Sequence, residues 1–198
     1  LYGVAAVIRF ADLSCAATRA DEMNFVRQAA SGSSFADLWM NPPWLNQIPF
    51  ADSMALLWAH AQPWRKADEG LVREPFALFG LLTVGLCVCW LWRRRGFGAA
   101  WLGAAWLGFC PFLVYHSREA YYYAVGMFFS TGMILQTLAM LEEIDRQREP
   151  STKAWWGWGA WTMGACLSHM ALWVLAATLA VLLWLAGWRS LRGASRRS

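Results

Sequence analysis

Charged side chains are scarce in this chain. Asp, Glu, Lys and Arg together account for 15% of the 198 residues, whereas 58% are hydrophobic and 15 are tryptophan. So few charges on so apolar a chain exclude a disordered protein and disfavour a soluble globular domain. We therefore expect a polytopic helical membrane protein of the all-α class.

A cysteine framework is lacking as well. Cys87 and Cys89 are too close in sequence for an ordinary disulfide, and no second pair follows at metal-ligand spacing. We interpret the cysteines as small apolar packing residues, which indicate neither a redox compartment nor a metal site. The five cysteines are Cys15, Cys87, Cys89, Cys110 and Cys166.

Long apolar segments fill most of the chain after residue 70. Three of them, residues 72–92, 97–115 and 120–141, are each ~20 residues long, which suits a hydrocarbon core of ~30 Å at ~1.5 Å per residue. Residues 154–188 are too many for one crossing and predict a hairpin broken at Ser168 and His169. Residues 1–8 resemble the tail of a first span. Because the chain starts inside that apolar run and without Met, we expect a fragment of a longer protein.

The first loop, residues 10–70, is long and mixed in character. Residues 21–30 suit a short helix, and the two prolines after Asn41 predict an extended turn. A second helix is predicted after Pro49, either amphipathic at the membrane surface or packed on the rest of the protein. Its apolar residues at helical spacing are Phe50, Met54, Leu57, Trp58 and Ala61.

Lys and Arg are distributed unevenly between the predicted loops. The short loops at Arg93–Arg95 and at residues 146–153, together with the basic tail, are rich in Arg and Lys, which predicts that they are cytoplasmic. We interpret Arg93–Arg95 as a topology signal and not as a nucleic-acid patch. The candidate functional residues then share the extracytoplasmic face: Asp21, Glu22, Asn41, His116, Arg118, Glu119 and His169.

Asp21 and Glu22 are adjacent carboxylates beside predicted membrane spans. Acids are expensive to hold near lipid, which favours a functional interpretation. Acids are also common in solvated loops and at the first turn of a helix, so that structural interpretation stays open.

Five sequence motifs occur in order along nearly the whole chain. They resemble motifs of GT-C type glycosyltransferases that use lipid-linked sugars, in the branch that contains protein mannosyltransferases and aminoarabinose transferases (glycosyltransferase family 39 type). This chain departs from the family at Asn41, where a His or Lys is frequent, and at Met170, where an aromatic residue is usual. The motifs are Arg9-Phe10 followed by Asp21-Glu22; Asn41-Pro-Pro-Trp44; Arg73-Glu-Pro-Phe-Ala-Leu-Phe-Gly80; Pro111-Phe-Leu-Val-Tyr-His-Ser-Arg-Glu-Ala120; and Ser168-His169.

The resemblance implies a single GT-C-like transmembrane module over residues 1–198, the N-terminal part of a chain more than twice as long. It implies inverting transfer of a sugar from a polyprenyl-phosphate donor to an unidentified acceptor (protein, lipid or glycan) on the extracytoplasmic face of the inner membrane. Asp21 would then be the general base, and Glu22 would orient the acceptor or help to hold a divalent cation, if one is used.

The remaining residues of the implied site would bind the lipid phosphate. Arg118 can bind it bidentately, and Arg73 and His169 would add charge or hydrogen bonds. Glu119 would position Arg118 or act as a second acid, and His116 is the remaining candidate for binding the substrate. No cofactor other than that cation is expected.

Other interpretations of these residues stay open. Arg73 and Arg118 also suit interfacial anchors, and a histidine at a helix turn is often structural. At the level of the whole chain, a transporter or lipid flippase would also gather charges near one face, although the predicted spans have no charge at their centres. A non-catalytic membrane scaffold of the same fold is the third possibility.

Overall fold

The computed structural model describes residues 1–15, 27, 34–40, 49–66 and 68–195, and the regular structure in them is helical, without strands. The predicted all-α class is therefore confirmed. We number the α-helices in chain order, with a short 3₁₀ turn at Leu13–Cys15 after the first. They are α1 (Tyr2–Phe10), α2 (Phe35–Met40), α3 (Phe50–His60), α4 (Glu69–Arg95), α5 (Phe97–Phe109), α6 (Pro111–Arg118), α7 (Tyr122–Asp145), α8 (Thr152–Ser168) and α9 (Ala171–Ser195).

Within the described residues, three helices are long and apolar enough to cross a membrane: α4, α7 and residues Ala171–Arg189 of α9. The bent pair α5 and α6 is a fourth candidate if both helices belong to one span. These lengths and compositions agree with the predicted multi-spanning membrane protein.

The third predicted span, residues 97–115, is not one continuous helix. α5 ends at Phe109, α6 begins at Pro111, and the two axes differ in direction by 56°. Cys110 between them has extended backbone, with ψ of 116°. Proline has no N–H and disfavours helical geometry in the preceding residue, so Pro111 explains the break.

The predicted hairpin in residues 154–188 is confirmed at its break. α8 ends at Ser168, His169 is extended, and α9 begins at Ala171. With 17 residues, α8 is shorter than the ~20 that a perpendicular crossing needs, and it is not among the three spanning candidates.

Helix α7 lies at the centre of the packing. One buried cluster joins α3, α4 and α7 and includes Ala51, Phe76 and Val125. A second cluster joins α7, α8 and α9 through Met133 and Ala165. Ala51 of α3 is buried in the first cluster while Leu57 is 52% exposed, so α3 packs on the protein by a different stripe from the one predicted.

The helices place two groups of residues at opposite ends of the bundle. At one end, Arg94 near the end of α4 pairs with Glu142 near the end of α7, beside the start of α8. At the other end lie the end of α1, the starts of α4 and α7, the end of α6 and the α8–α9 turn. Among the described residues, the structure therefore places Arg94 and the start of α8 at the end opposite His116, Arg118 and His169, in agreement with the loop charges.

Candidate functional site

Arg118 and Arg73 converge on the end of α1 and the turn that follows it. Arg118 Nη1 donates to the Ile8 carbonyl at 2.7 Å, and Nη2 donates a longer bond to the Asp12 carbonyl at 3.4 Å. Arg73, which is 2% exposed, donates from Nη1 to the Leu13 carbonyl at 2.6 Å. The last carbonyls of a helix lack partners within it and attract cations, so the two arginines fix this segment in place.

Close packing of α4 on α6 brings these two arginines to the same end of the bundle. Gly80 of α4 lies against Ser117 of α6, and a Cβ added at Gly80 would collide with the Ser117 side chain. Ser117 is completely buried and donates to the Val114 carbonyl at 2.8 Å. Glycine at position 80 thus permits the contact that sets Arg118 beside α1.

His116 and Glu119 form a half-buried pair at the end of α6. The His116 Nδ1 and Glu119 Oε2 atoms are 3.2 Å apart, and the side chains are 15% and 10% exposed. The His116 ring also lies 4.6 Å from that of Tyr123 at the start of α7. Glu119 therefore contacts His116, and its predicted role, to position Arg118 or to act as a second acid, stays a prediction.

His169 joins the same region through an aromatic contact. Its ring stacks on Tyr122 at a centroid distance of 4.3 Å, and Tyr122 neighbours Tyr123 at 4.5 Å. The backbone N–H of Ala171 donates to His169 Nδ1 at 3.1 Å, so that nitrogen is unprotonated. His169 therefore caps the start of α9, a structural role, and keeps Nε2 for other partners.

A cavity of about 280 Å³ opens beside the fixed end of α1. The described charged residues that line it are mainly acidic, and the one cation among them, Arg65, pairs with Glu74 at 2.8 Å. Neither Arg73 nor Arg118 lines it, and an acidic wall repels phosphate, so this cavity does not fit the phosphate of a lipid donor. Its lining consists of Phe10, Asp12, Leu13, Ser14, Arg65, Asp68, Gly70 and Glu74.

Arg9 is a buried cation for which the sequence predicted no contact, although it belongs to the first motif of the resemblance and follows the first apolar run. Its side chain is completely buried, and it donates to the carbonyls of Gly108 at 2.9 Å and Leu107 at 3.2 Å. Leu107 is four residues before Pro111, which has no N–H to offer that carbonyl. Arg9 thus binds backbone acceptors that the break between α5 and α6 exposes. The signal in the sequence was Pro111, because a proline leaves the carbonyl four residues earlier, that of Leu107, without its helical N–H donor.

Asp52 is a second buried charged residue that sequence reasoning missed. It lies in the first turn of α3 and is 4% exposed. Burial raises the pKa of this carboxyl from the ordinary 3.8 to about 6. No signal in the sequence indicated this, because the apolar residues of α3 did not show that the face carrying Asp52 would be buried.

The predicted catalytic pair lies outside the described residues. This applies to Asp21 and Glu22, to the predicted helix at 21–30 apart from Arg27, and to Asn41–Trp44. Among the described residues, no group of three or more His, Cys, Asp or Glu side chains is arranged to hold a metal ion. The possible divalent cation at Asp21 and Glu22 therefore stays a prediction.

Comparison with known proteins assigns neither a family nor a function to the chain. No protein-family model matches the chain, and no significant match was found among curated proteins or solved structures.

Proposed function

We propose that the chain is the N-terminal membrane module of an inverting glycosyltransferase that uses a polyprenyl-phosphate sugar. Asp21 is the general base that takes the proton of the acceptor hydroxyl, and Glu22 orients the acceptor. Arg118 and Arg73 balance the charge of the departing lipid phosphate on the extracytoplasmic face. The proposal combines the motif resemblance with the chemistry of these side chains.

The observation that supports it best is the convergence of Arg118 and Arg73 on the end of α1. Leu13, whose carbonyl binds Arg73, precedes Asp21 by only eight residues. A residue spans at most ~3.6 Å, so the chain leaves this fixed point within roughly 29 Å of Asp21. The two carbonyl bonds of Arg118 also leave further N–H groups of its guanidinium for an anion.

The neighbouring histidines are consistent with this role. His116 with Glu119 and His169 with Tyr122 are arranged around the same end of α7. Imidazole and phenol groups beside a cationic pair can donate hydrogen bonds to phosphate oxygens, while the tyrosine rings offer apolar surface to a prenyl chain.

The deciding experiment is Asp21→Asn in the full-length enzyme, assayed with a labelled polyprenyl-phosphate sugar in membranes. Loss of a general base should lower transfer by at least ~10²-fold while donor binding persists. Asp145→Asn, an exposed acid at the opposite end of α7, is the matched control and should transfer normally. Near-normal transfer by a folded Asp21→Asn protein would remove the proposed base.

A transporter or flippase is the second candidate, and the break between α5 and α6 favours it. Broken helices with buried polar groups are typical of transporter binding sites, and Arg9 is buried on this break. Reconstituted vesicles separate the two functions. Transbilayer movement of the labelled donor without release of lipid phosphate would support the flippase and exclude the transferase. A protein with neither activity would favour the non-catalytic scaffold.

A further inference from the structure

The bundle has a second cavity at the end opposite the candidate site. It measures about 320 Å³ and lies between α4, α7 and α8. On α4 it is bounded by Leu86, Trp90 and Arg93, one face of the helix at spacings of four and three residues. On α7 it is bounded at similar spacing by Gly132, Gln136 and Ala139, and Trp161 of α8 closes one side.

Small residues on α7 make room for this cavity. Trp161 lies directly over Gly132, where an added Cβ would collide with the indole ring. The cavity therefore has a wall formed by the indole and by aliphatic side chains such as Leu86 and Leu135. That wall suits the glycerol and first acyl carbons of a lipid.

The polar side chains around the cavity offer more hydrogen-bond donors than acceptors. Trp90, whose ring bounds the cavity, has a buried Nε1 without a hydrogen-bond partner among the described residues. Arg93 and Arg94 both line the cavity, and none of the described residues that line it is an acid. Arg94 pairs with Glu142 outside the lining, whereas Arg93 forms no ion pair with any residue that the structure describes.

We propose that this cavity binds the phosphate headgroup of an anionic glycerophospholipid. Arg93 donates to the phosphate oxygens, and the ring of Trp90 contributes to the apolar wall. Arg93 and Arg94 lie at the end of α4, a helix that can cross a membrane, which places this end of the cavity at headgroup level, while Gly132 and Trp161 lie deeper. An aqueous anion would use the donors but not the apolar wall.

Lipid binding to the purified full-length chain tests this by native mass spectrometry. We expect one phosphatidylglycerol to bind much more tightly than phosphatidylcholine. Arg93→Gln should weaken that binding roughly tenfold or more, because it removes a hydrogen bond to a charged group. Arg95→Gln is the matched control, because it removes an equal charge from a neighbouring residue that does not line the cavity. It should change the affinity for phosphatidylglycerol less than about threefold.

Three outcomes would overturn the proposal. Equal binding of phosphatidylcholine would show that the anionic headgroup is not recognised. Equal weakening by Arg95→Gln and Arg93→Gln would reduce the effect to overall charge. Displacement of phosphatidylglycerol by millimolar inorganic phosphate would show that the cavity is a site for a free anion and not for a lipid.

Discussion

Arg9 offers the sharpest test of how the fold positions α6. Its guanidinium donates to the Ala5 carbonyl in its own helix and to the carbonyls of Leu107 and Gly108, where α5 ends before Pro111. Replacement by Met keeps a shorter, unbranched side chain but leaves the Leu107 and Gly108 carbonyls without this donor. A buried acceptor left unsatisfied costs ~1–3 kcal/mol, which gives roughly 2–6 kcal/mol for the pair.

Part of that loss is offset, because the variant no longer buries a cation. Arg9 Nε already lacks a hydrogen-bond partner in the part of the chain that the structure describes, and burying an ion costs several kcal/mol before its hydrogen bonds are counted. We therefore expect Arg9→Met to lower the free energy of unfolding by about 2 kcal/mol, near the low end of the range. Denaturant titration of the purified protein in mixed micelles measures it.

A double-mutant cycle separates the carbonyl contacts from the burial of charge. Pro111→Ala restores an N–H that can serve the Leu107 carbonyl, so the loss of Arg9 should cost at least ~1 kcal/mol less in that background. Arg95→Met, which replaces an exposed arginine at the end of α4, is the control and should lie within ~0.5 kcal/mol of the parent. Equal costs of Arg9→Met with and without Pro111 would refute the assigned role.

Three further predictions concern other parts of the chain. Arg118→Lys should raise the apparent Kd for the donor in a titration, because an ammonium lacks the guanidinium fork, and an unchanged Kd would exclude Arg118 from the site. Asp52 has a pKa raised to about 6, so unfolding free energy should fall by up to ~3 kcal/mol between about pH 4 and pH 7; Asp52→Asn should lack this fall in pH-dependent denaturation. In a background without native cysteines, an impermeant maleimide should label Met40→Cys from outside cells but not Gly98→Cys, and the reverse pattern would invert the topology. Gly98 is preferable to Gly96, whose φ of 83° strains any other residue.

The sequence predicts those parts of the fold that depend on local composition. α4 ends at Arg95, where the apolar run meets three arginines, and the α8–α9 turn falls at His169, where a polar pair interrupts the longest apolar segment. The membrane constrains the length of apolar segments and the position of charges, so helix ends of this kind can be predicted from a single sequence. Pro111 also indicates the bend between α5 and α6, but the length of the apolar segment led us to predict one continuous span.

Tertiary partners were not predictable in the same way. Arg9 contacts Gly108, 99 residues later, and Arg118 contacts Ile8, 110 residues earlier. An arginine at a helix end has the same local pattern whether it anchors at lipid headgroups, binds a ligand or holds a backbone carbonyl. Only the packing of α1 against α5 and α6 distinguishes these uses.

Arg9, Arg73 and Arg118 share one kind of contact, a guanidinium bound to backbone carbonyls where a helix or turn ends. For Arg9 this contact alone defines a structural role, because the side chain is wholly buried. Arg118 differs, since it is only half-buried and its bond to Asp12 is long. A cation held by one firm carbonyl bond is already oriented when an anion arrives, so little reorganisation is needed to bind it. The structural interpretation of Arg118 is therefore compatible with the proposed binding of a phosphate, for which the carbonyl contact would orient the guanidinium.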